Sequence, residues 1–94
     1  MLRRKSMPVS AELSLYPLTP DYVPVIVKFI GRLKAIPGLK VAVNGLSTQV
    51  TGEYDVVMAA LTTAMRPTME GAVTCSFVIK VLNVEVEPGE EVSI

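Results

Sequence analysis

The sequence has no histidine, no tryptophan and a single cysteine, Cys75, in its 94 residues. Without histidine, the usual zinc ligand sets and histidine general bases are unavailable, and a serine or cysteine nucleophile would need another activating base. A single cysteine excludes an intramolecular disulfide and favours a reducing, cytoplasmic setting. We therefore expect no enzyme, no metal site and no cofactor.

An excess of charge of either sign is also missing. Nine basic and nine acidic residues cancel, and no stripe of Lys and Arg is interleaved with the few aromatic residues. This balance predicts that the protein does not bind nucleic acid. The glycines are scattered along the chain, so no phosphate-binding loop is indicated.

Long apolar runs are absent as well. None approaches the roughly 20 residues that span a bilayer, so we expect no membrane segment. The basic start MLRRKSM is not followed by an unbroken apolar region, which predicts no export signal and makes Met7 a candidate start. Half of the residues are nevertheless hydrophobic, with a mean hydropathy of +0.46. So much apolar surface on one short domain predicts that subunits associate.

The strongest local pattern lies between Leu39 and Asp55. Two β-prone runs, KVAV and LSTQVT, flank Asn44-Gly45, a pair typical of a two-residue type I′ hairpin turn. Such a turn would place Leu46 on the same sheet face as Thr48. A helix is predicted from Glu53 to Met65 or Arg66, because acidic residues stand at its start and Pro67 follows its end.

Other elements flank this hairpin. An alternating strand is predicted from Val9 to Leu18, and a helix from Asp21 to Ile36. The β-like run from Ala72 to Val86 carries apolar residues on both sides, which indicates a central strand or an interface. The order β-α-β-β-α-β predicts an α+β, ferredoxin-like sandwich with a four-stranded antiparallel sheet and two helices on one face.

The same patterns predict the limits of the domain. Residues 9–86 form a single domain, preceded by a disordered extension at 1–8 and followed by a flexible acidic tail at 87–94.

Both helices of this fold cover one sheet face, so a ligand or partner should be sought on the other face. Alternation assigns a set of mainly small polar residues to that face: Ser10, Glu12, Ser14, Tyr16, Ser47, Gln49, Thr51, Thr74 and Ser76. Hydroxyls around one carboxylate and one amide suit a small polar heterocycle, with a tyrosine ring to stack on. An ordinary hydrated sheet face is the alternative. Cys75 is expected on the opposite, apolar side as a small hydrophobic residue.

Several stretches together resemble the YkoF-like family of thiamine/hydroxymethylpyrimidine-binding proteins, whose domain is ferredoxin-like. They are AELSLYPL, DYVPVIVKFI, VNGLSTQVTGEYDVVM and the β-rich final run, and the similarity extends from Val9 to Val86. The resemblance implies a non-catalytic binder of thiamine or its hydroxymethylpyrimidine part, in uptake or salvage of the vitamin. It also implies that the domain works in pairs, so this single copy should form a homodimer or higher homo-oligomer.

The resemblance also implies which residues contact the ligand. Ser14 and Tyr16 match its strand-one segment, and Ser47, Thr48 and Gln49 match its STQ segment. Glu12 joins them on chemical grounds, because a carboxylate suits an aminopyrimidine and a cationic thiazolium. Alternation points Thr48 toward the helices, whereas Ser47 and Gln49 point outward. Either a bulge reorients Thr48 or one of these assignments is wrong.

The sequence therefore leaves two hypotheses for the function. The first is binding of thiamine-type pyrimidines, which predicts a closed polar pocket where Glu12 and Gln49 converge. The second is a structural or regulatory oligomer without a small-molecule ligand, which predicts a flat sheet face covered by protein.

Overall fold

The computed structural model describes residues 6–93, which form four strands and two helices. In chain order the elements are β1 (Pro8–Pro17), α1 (Val23–Lys34), β2 (Lys40–Val43), β3 (Thr48–Glu53), α2 (Tyr54–Met69) and β4 (Cys75–Leu82). The strands form one antiparallel sheet in the order β2-β3-β1-β4. The sheet is open and both helices pack on one face, so the predicted ferredoxin-like α+β fold is confirmed.

The side chains of β1 alternate between the two faces of the sheet. Val9, Ala11 and Leu13 are buried beneath the helices, where they pack against Phe29 of α1 and Val57 of α2. The intervening residues point to the other side, as the sequence predicted. The alternation of β1 therefore fixes which face of the sheet stays free of helices.

The connection between β2 and β3 differs from the predicted two-residue turn. Val43 pairs with Thr48, so residues 44–47 form a four-residue loop. The Asn44 side chain shapes this loop: its Oδ1 accepts hydrogen bonds from the backbone N–H groups of Leu46 at 2.8 Å and Ser47 at 3.1 Å. Neither Asn44 nor Gly45 adopts the positive φ that a type I′ turn requires. The type I′ prediction is wrong, because the asparagine side chain stabilises another turn.

Helix α2 extends further than predicted. It continues through Pro67 to Met69, so the prediction that it ends at Met65 or Arg66 is wrong. Packing against α1 explains the extension: Arg32 donates from Nε to the Ala64 carbonyl and from Nη2 to the hydroxyl of the buried Thr68. A proline this close to the end of a helix removes one backbone hydrogen bond, and these two contacts offset that loss.

The start of α2 follows the sequence closely. The Glu53 carboxylate accepts hydrogen bonds from the backbone N–H groups of Asp55 and Val56, so Glu53 is the N-cap. Helix α1 begins and ends two residues inside its predicted limits of 21 and 36, with Pro24 in its first turn. No helix within residues 6–93 is long and apolar enough to cross a membrane.

The last strand is shorter and lies further out than the sequence indicated. β4 ends at Leu82, not Val86, and it pairs with β1 at one edge of the sheet. A central position is therefore wrong for this strand, and the predicted alternative of an interface remains. Cys75 at its start packs against the helix-side core, as expected.

The predicted extension at 1–8 is described in part. Residues 1–5 lie outside the described residues, whereas Pro8 begins β1 and the Met7 carbonyl accepts a hydrogen bond from Tyr54 N.

Candidate functional site

A gap in the strand pairing creates a concavity at one end of the sheet. Pairing of β1 with β3 stops at Leu13 and Thr48, whereas pairing of β1 with β4 continues to Pro17 and Cys75. Residues 14–17 of β1 therefore face the loop 44–47 across a slit. The first turns of α1 close the slit from the helix side, leaving a cavity of about 470 Å³ that we call the end cavity.

Four of the six predicted ligand residues line the end cavity. They are Ser14, Tyr16, Ser47 and Thr48. The two segments that the resemblance singled out, one on strand β1 and one beside the hairpin loop, thus meet at one place. A hydrogen bond of 3.3 Å from the Ser14 hydroxyl to the Leu46 carbonyl joins the two walls.

The structure also gives the direction of Thr48, which the sequence left open. The register of β1 with β3 runs one to one through Leu13–Thr48, Glu12–Gln49 and Ala11–Val50, so no bulge turns Thr48 around. Thr48 faces the helices and is buried, as alternation requires. It shares the end cavity with Ser47 because the slit reaches both sides of the sheet.

The remaining lining of the end cavity is apolar or aromatic. Tyr16 and Tyr22 border it and are 53% and 51% exposed, while Ile26, Phe29 and Ile30 of α1 lie beneath it. Among the described residues that line the cavity, none carries a charge. Aromatic rings, aliphatic side chains and a few hydroxyls suit a flat, uncharged heterocycle with hydrogen-bonding groups at its edge.

The two other predicted ligand residues, Glu12 and Gln49, line a second concavity on the uncovered sheet face. This groove has a volume of about 210 Å³, and we call it the sheet groove. Glu12 accepts a hydrogen bond of 3.1 Å from the Ser47 hydroxyl, and Lys80 Nζ lies 3.5 Å from its other oxygen. Glu12 and Gln49 thus line one open concavity, the sheet groove, which lies outside the end cavity.

Residues 84–89 cross the uncovered face and form the outer wall of the sheet groove with Val86 and Pro88. Backbone groups of this segment bind side chains of the sheet. Ser10 Oγ donates to the Val84 carbonyl at 2.8 Å and accepts from Val86 N at 2.7 Å, and Thr51 Oγ1 donates to the Val86 carbonyl. These contacts explain why both hydroxyl residues are buried on a face that has no helix.

Two further contacts hold the far end of the segment. Gly89 N donates to Gln49 Oε1 at 2.7 Å, and Lys40 Nζ lies 3.1 Å from a Glu87 carboxylate oxygen. The hydrogen bond and the charge of Glu87 raise the pKa of the exposed Lys40 above its usual 10.5. Gly89 adopts a φ of +75°, and a side chain there would meet Ala42.

Sequence reasoning missed the position of this segment. It assigned residues up to Val86 to a strand and residues 87–94 to a mobile tail. The mobility of that tail stays a prediction. The available signal was the pair Ser10 and Thr51, two hydroxyls on one sheet face, together with the turn-forming Pro88-Gly89.

Residues 8–81 match the sequence profile of the YKOF-related family. The chain belongs to this family. The matched range contains all six predicted ligand residues, although it ends before the segment that walls the sheet groove. The comparison with curated proteins gives no significant match.

Proteins of solved structure from other organisms share the fold of this YKOF-related chain. A protein of Streptococcus pneumoniae is 26% identical, with a TM-score of 0.76 over 85% of this chain and 90% of that chain. A domain of unknown function from Bacillus cereus is 24% identical, with a TM-score of 0.69 over 95% and 85%. A Thermotoga maritima protein, provisionally described as a thiamine biosynthesis or salvage protein, is 21% identical, with a TM-score of 0.69 over 79% and 81%.

Proposed function

We propose that this protein binds thiamine, or its hydroxymethylpyrimidine part, for uptake or salvage of vitamin B1. The observation that carries the proposal is that Ser14, Tyr16, Ser47 and Thr48 line one cavity of about 470 Å³. Sites for small molecules commonly measure about 300–1,000 Å³. Membership of the YKOF-related family and the description of the Thermotoga maritima protein support the choice of ligand.

The lining suits a pyrimidine ring. Tyr16 and Tyr22 offer faces on which a flat heterocycle stacks, and the half-buried Ile26 and Ile30 provide an apolar surface beneath it. Hydroxyl groups both donate and accept, so Ser14 and Ser47 match a ring that carries an amino donor and nitrogen acceptors. The absence of charge among the described lining residues favours a neutral ring over an anionic one.

We propose binding without catalysis, in the cytoplasm. The described lining of the end cavity contains no carboxylate, lysine or histidine that would exchange protons with a bound ligand near neutral pH. Cys75, the one cysteine of the chain, forms no disulfide, is half-buried at the start of β4 and does not line this cavity. A free cysteine supports a reducing compartment.

Calorimetric titration with hydroxymethylpyrimidine and with thiamine tests the proposal. We expect saturable binding near micromolar Kd, about −8 kcal/mol. The variant Tyr16→Ala should lose the stacking contact and bind both ligands about five- to tenfold more weakly, from about 1 kcal/mol of aromatic contact. Tyr54→Ala is the matched control, because this half-exposed tyrosine at the start of α2 does not line the cavity. Absence of heat with either ligand, from protein shown to be folded, would refute the proposal.

The exposed edge of the sheet supports a second part of the proposal, self-association. Strand β4 leaves one side unpaired in the described chain, and Val78, Ile79, Val81 and Leu82 are all exposed. Long apolar edge strands readily pair with another strand. We propose that two copies associate through this edge. If the protein associates but binds neither ligand, the structural or regulatory oligomer becomes the better supported function.

Sedimentation velocity tests the association. Val78→Lys on β4 should shift the protein toward monomer, because a charge inside an apolar interface is costly. Val27→Lys on α1 is the matched control, since both valines are 60% exposed. A wild-type protein that is monomeric at all concentrations, or variants that behave alike, would contradict an interface at this edge.

A further inference from the structure

We infer that the sheet groove is a second subsite, which takes the positively charged ring of a two-ring ligand, and that residues 84–89 supply its wall. This inference rests on the proposed function, because it requires the neutral ring to occupy the end cavity. It assigns Val86 and Pro88 as specificity-determining residues and Gln49 as the residue that positions them.

The two concavities are neighbours on one strand. Ser14 lines the end cavity and Glu12 lines the sheet groove. These residues are successive outward-facing positions of β1, so they lie about 7 Å apart along the strand. Ser47 lines the end cavity while its hydroxyl donates to Glu12. A ligand whose two rings are joined by one methylene group therefore continues from the end cavity directly toward the carboxylate.

Charge separates the roles of the two concavities. The described lining of the end cavity carries no charge, whereas Glu12 supplies a carboxylate to the groove. The present partner of Glu12 is Lys80, at 3.5 Å, and both side chains are largely open to solvent. Exposed ion pairs of this kind are weak. A ligand cation displaces the lysine from Glu12 at little cost and restores a charge pair that is better shielded from water.

The 84–89 segment turns an open sheet face into a groove. Val86 and Pro88 form its outer wall, and its volume of about 210 Å³ is below the roughly 300–1,000 Å³ of sites that enclose a whole small molecule, so it holds only part of a ligand. Gln49 has its Oε1 engaged by Gly89 N, so it holds the wall in place. Gln49 therefore affects the second ring through the segment, which makes it a positioning residue.

The test compares the affinities of thiamine, which has both rings, and hydroxymethylpyrimidine, which has one. Glu12→Gln should lower the affinity for thiamine at least tenfold and leave the affinity for hydroxymethylpyrimidine within twofold of the wild-type value. Glu70→Gln, at the exposed end of α2, is the matched control and should change neither. Lys80→Met removes the competing cation and should strengthen thiamine binding two- to fivefold without affecting hydroxymethylpyrimidine.

A third variant addresses the wall. Gln49→Leu should lower the affinity for thiamine several-fold and leave the affinity for hydroxymethylpyrimidine unchanged. It should also speed hydrogen exchange at the Gly89 amide. The exchange readout separates loss of the wall from general destabilisation, for which amides of β1 serve as the reference.

The outcomes separate the two levels of the proposal. If folded wild-type protein binds neither compound, both the proposed function and the second subsite are refuted. If both compounds bind but respond equally to Glu12→Gln, or if Lys80→Met weakens thiamine, the subsite alone is refuted. Unchanged thiamine affinity in Gln49→Leu, despite faster exchange at Gly89, would refute the role of the wall.

Discussion

The end cavity and the sheet groove lie on the same strand, but different interactions hold their walls. The end cavity is backed by Leu13 and Phe29, which are 1% exposed and belong to the hydrophobic core. The outer wall of the groove, Val86 and Pro88, is attached through hydrogen bonds to sheet side chains and through one exposed ion pair. One wall is part of the core, and the other is a surface attachment.

These interactions determine which of the two sites is formed before a ligand binds. Burying one large apolar side chain contributes about 1.5–3 kcal/mol, and many such contacts fix the end cavity. A hydrogen bond contributes about 0.5–1.5 kcal/mol net, and only a few hold residues 84–89. We therefore expect the end cavity to persist through the native state, while the groove opens by local release of its wall.

The largest effect is expected from a change in the shared strand. Leu13→Ala should lower the free energy of unfolding by about 2–5 kcal/mol, because it leaves a cavity in the core. It should also lower the affinity for both ligands. Urea denaturation measures it. Leu46→Ala is the control, since Leu46 borders the same cavity but is 89% exposed and should change stability by about 0.5 kcal/mol or less. Equal losses in the two variants would contradict a core-backed end cavity.

A substitution of intermediate effect should alter the sheet groove and leave the end cavity unchanged. Thr51→Val removes the hydroxyl that binds the Val86 carbonyl and Ser10. We expect a loss of about 1–3 kcal/mol, because two hydrogen bonds are removed at about 0.5–1.5 kcal/mol each. Hydrogen exchange at Val86 should accelerate, whereas hydroxymethylpyrimidine affinity should stay the same. Thr63→Val, on the exposed side of α2, is the control. Weaker hydroxymethylpyrimidine binding in Thr51→Val would show that the two sites are not independent.

A smaller change should affect the cavity and spare the groove. Asn44→Ala removes the acceptor that orders the loop 44–47, at a cost of about 1 kcal/mol. Titration should show hydroxymethylpyrimidine binding several-fold more weakly, because the loop forms one wall of the slit. Exchange at the Gly89 amide should match that of the wild type. Faster exchange there would mean that the loop also supports the segment.

The smallest effect is expected at the ion pair that ends the segment. Glu87 raises the pKa of Lys40, so this contact stabilises attachment fully below pH 10.5 and is lost as the pH rises through the raised pKa. The ¹³C methyl shifts of Val86 should follow that loss in alkaline solution. Lys40→Met should remove the alkaline step, and added salt should reduce it. A step that persists in Lys40→Met would assign it to another group.

Several features of the site are encoded locally and could be predicted from sequence. The alternation of β1 assigned Ser14 and Tyr16 to one face, and the acidic residues predicted a helix start at Glu53, which is the N-cap of α2. The loop between β2 and β3 is two residues longer than predicted, yet the face assignments of β3 survive. A shift of two residues preserves the side of every strand residue. Leu46 and Ser47 are the exceptions, because they were predicted in the strand and lie in the loop.

Two features follow from contacts between distant parts of the chain. Helix α2 passes Pro67 because Arg32, on the other helix, binds its last turn. The end cavity exists because β1 continues beyond its last pair with β3, Leu13–Thr48, while it stays paired with β4 as far as Pro17–Cys75.

Local sequence patterns specify the order of the elements, the two faces of the sheet and the segments that carry the candidate ligand residues. These depend on side-chain periodicity and capping, which act over a few residues. Only the tertiary structure divided those residues between two concavities and brought residues 84–89 onto Ser10 and Thr51. That placement depends on hydrogen bonds between groups as many as 76 residues apart, and side-chain periodicity carries no information about such pairs.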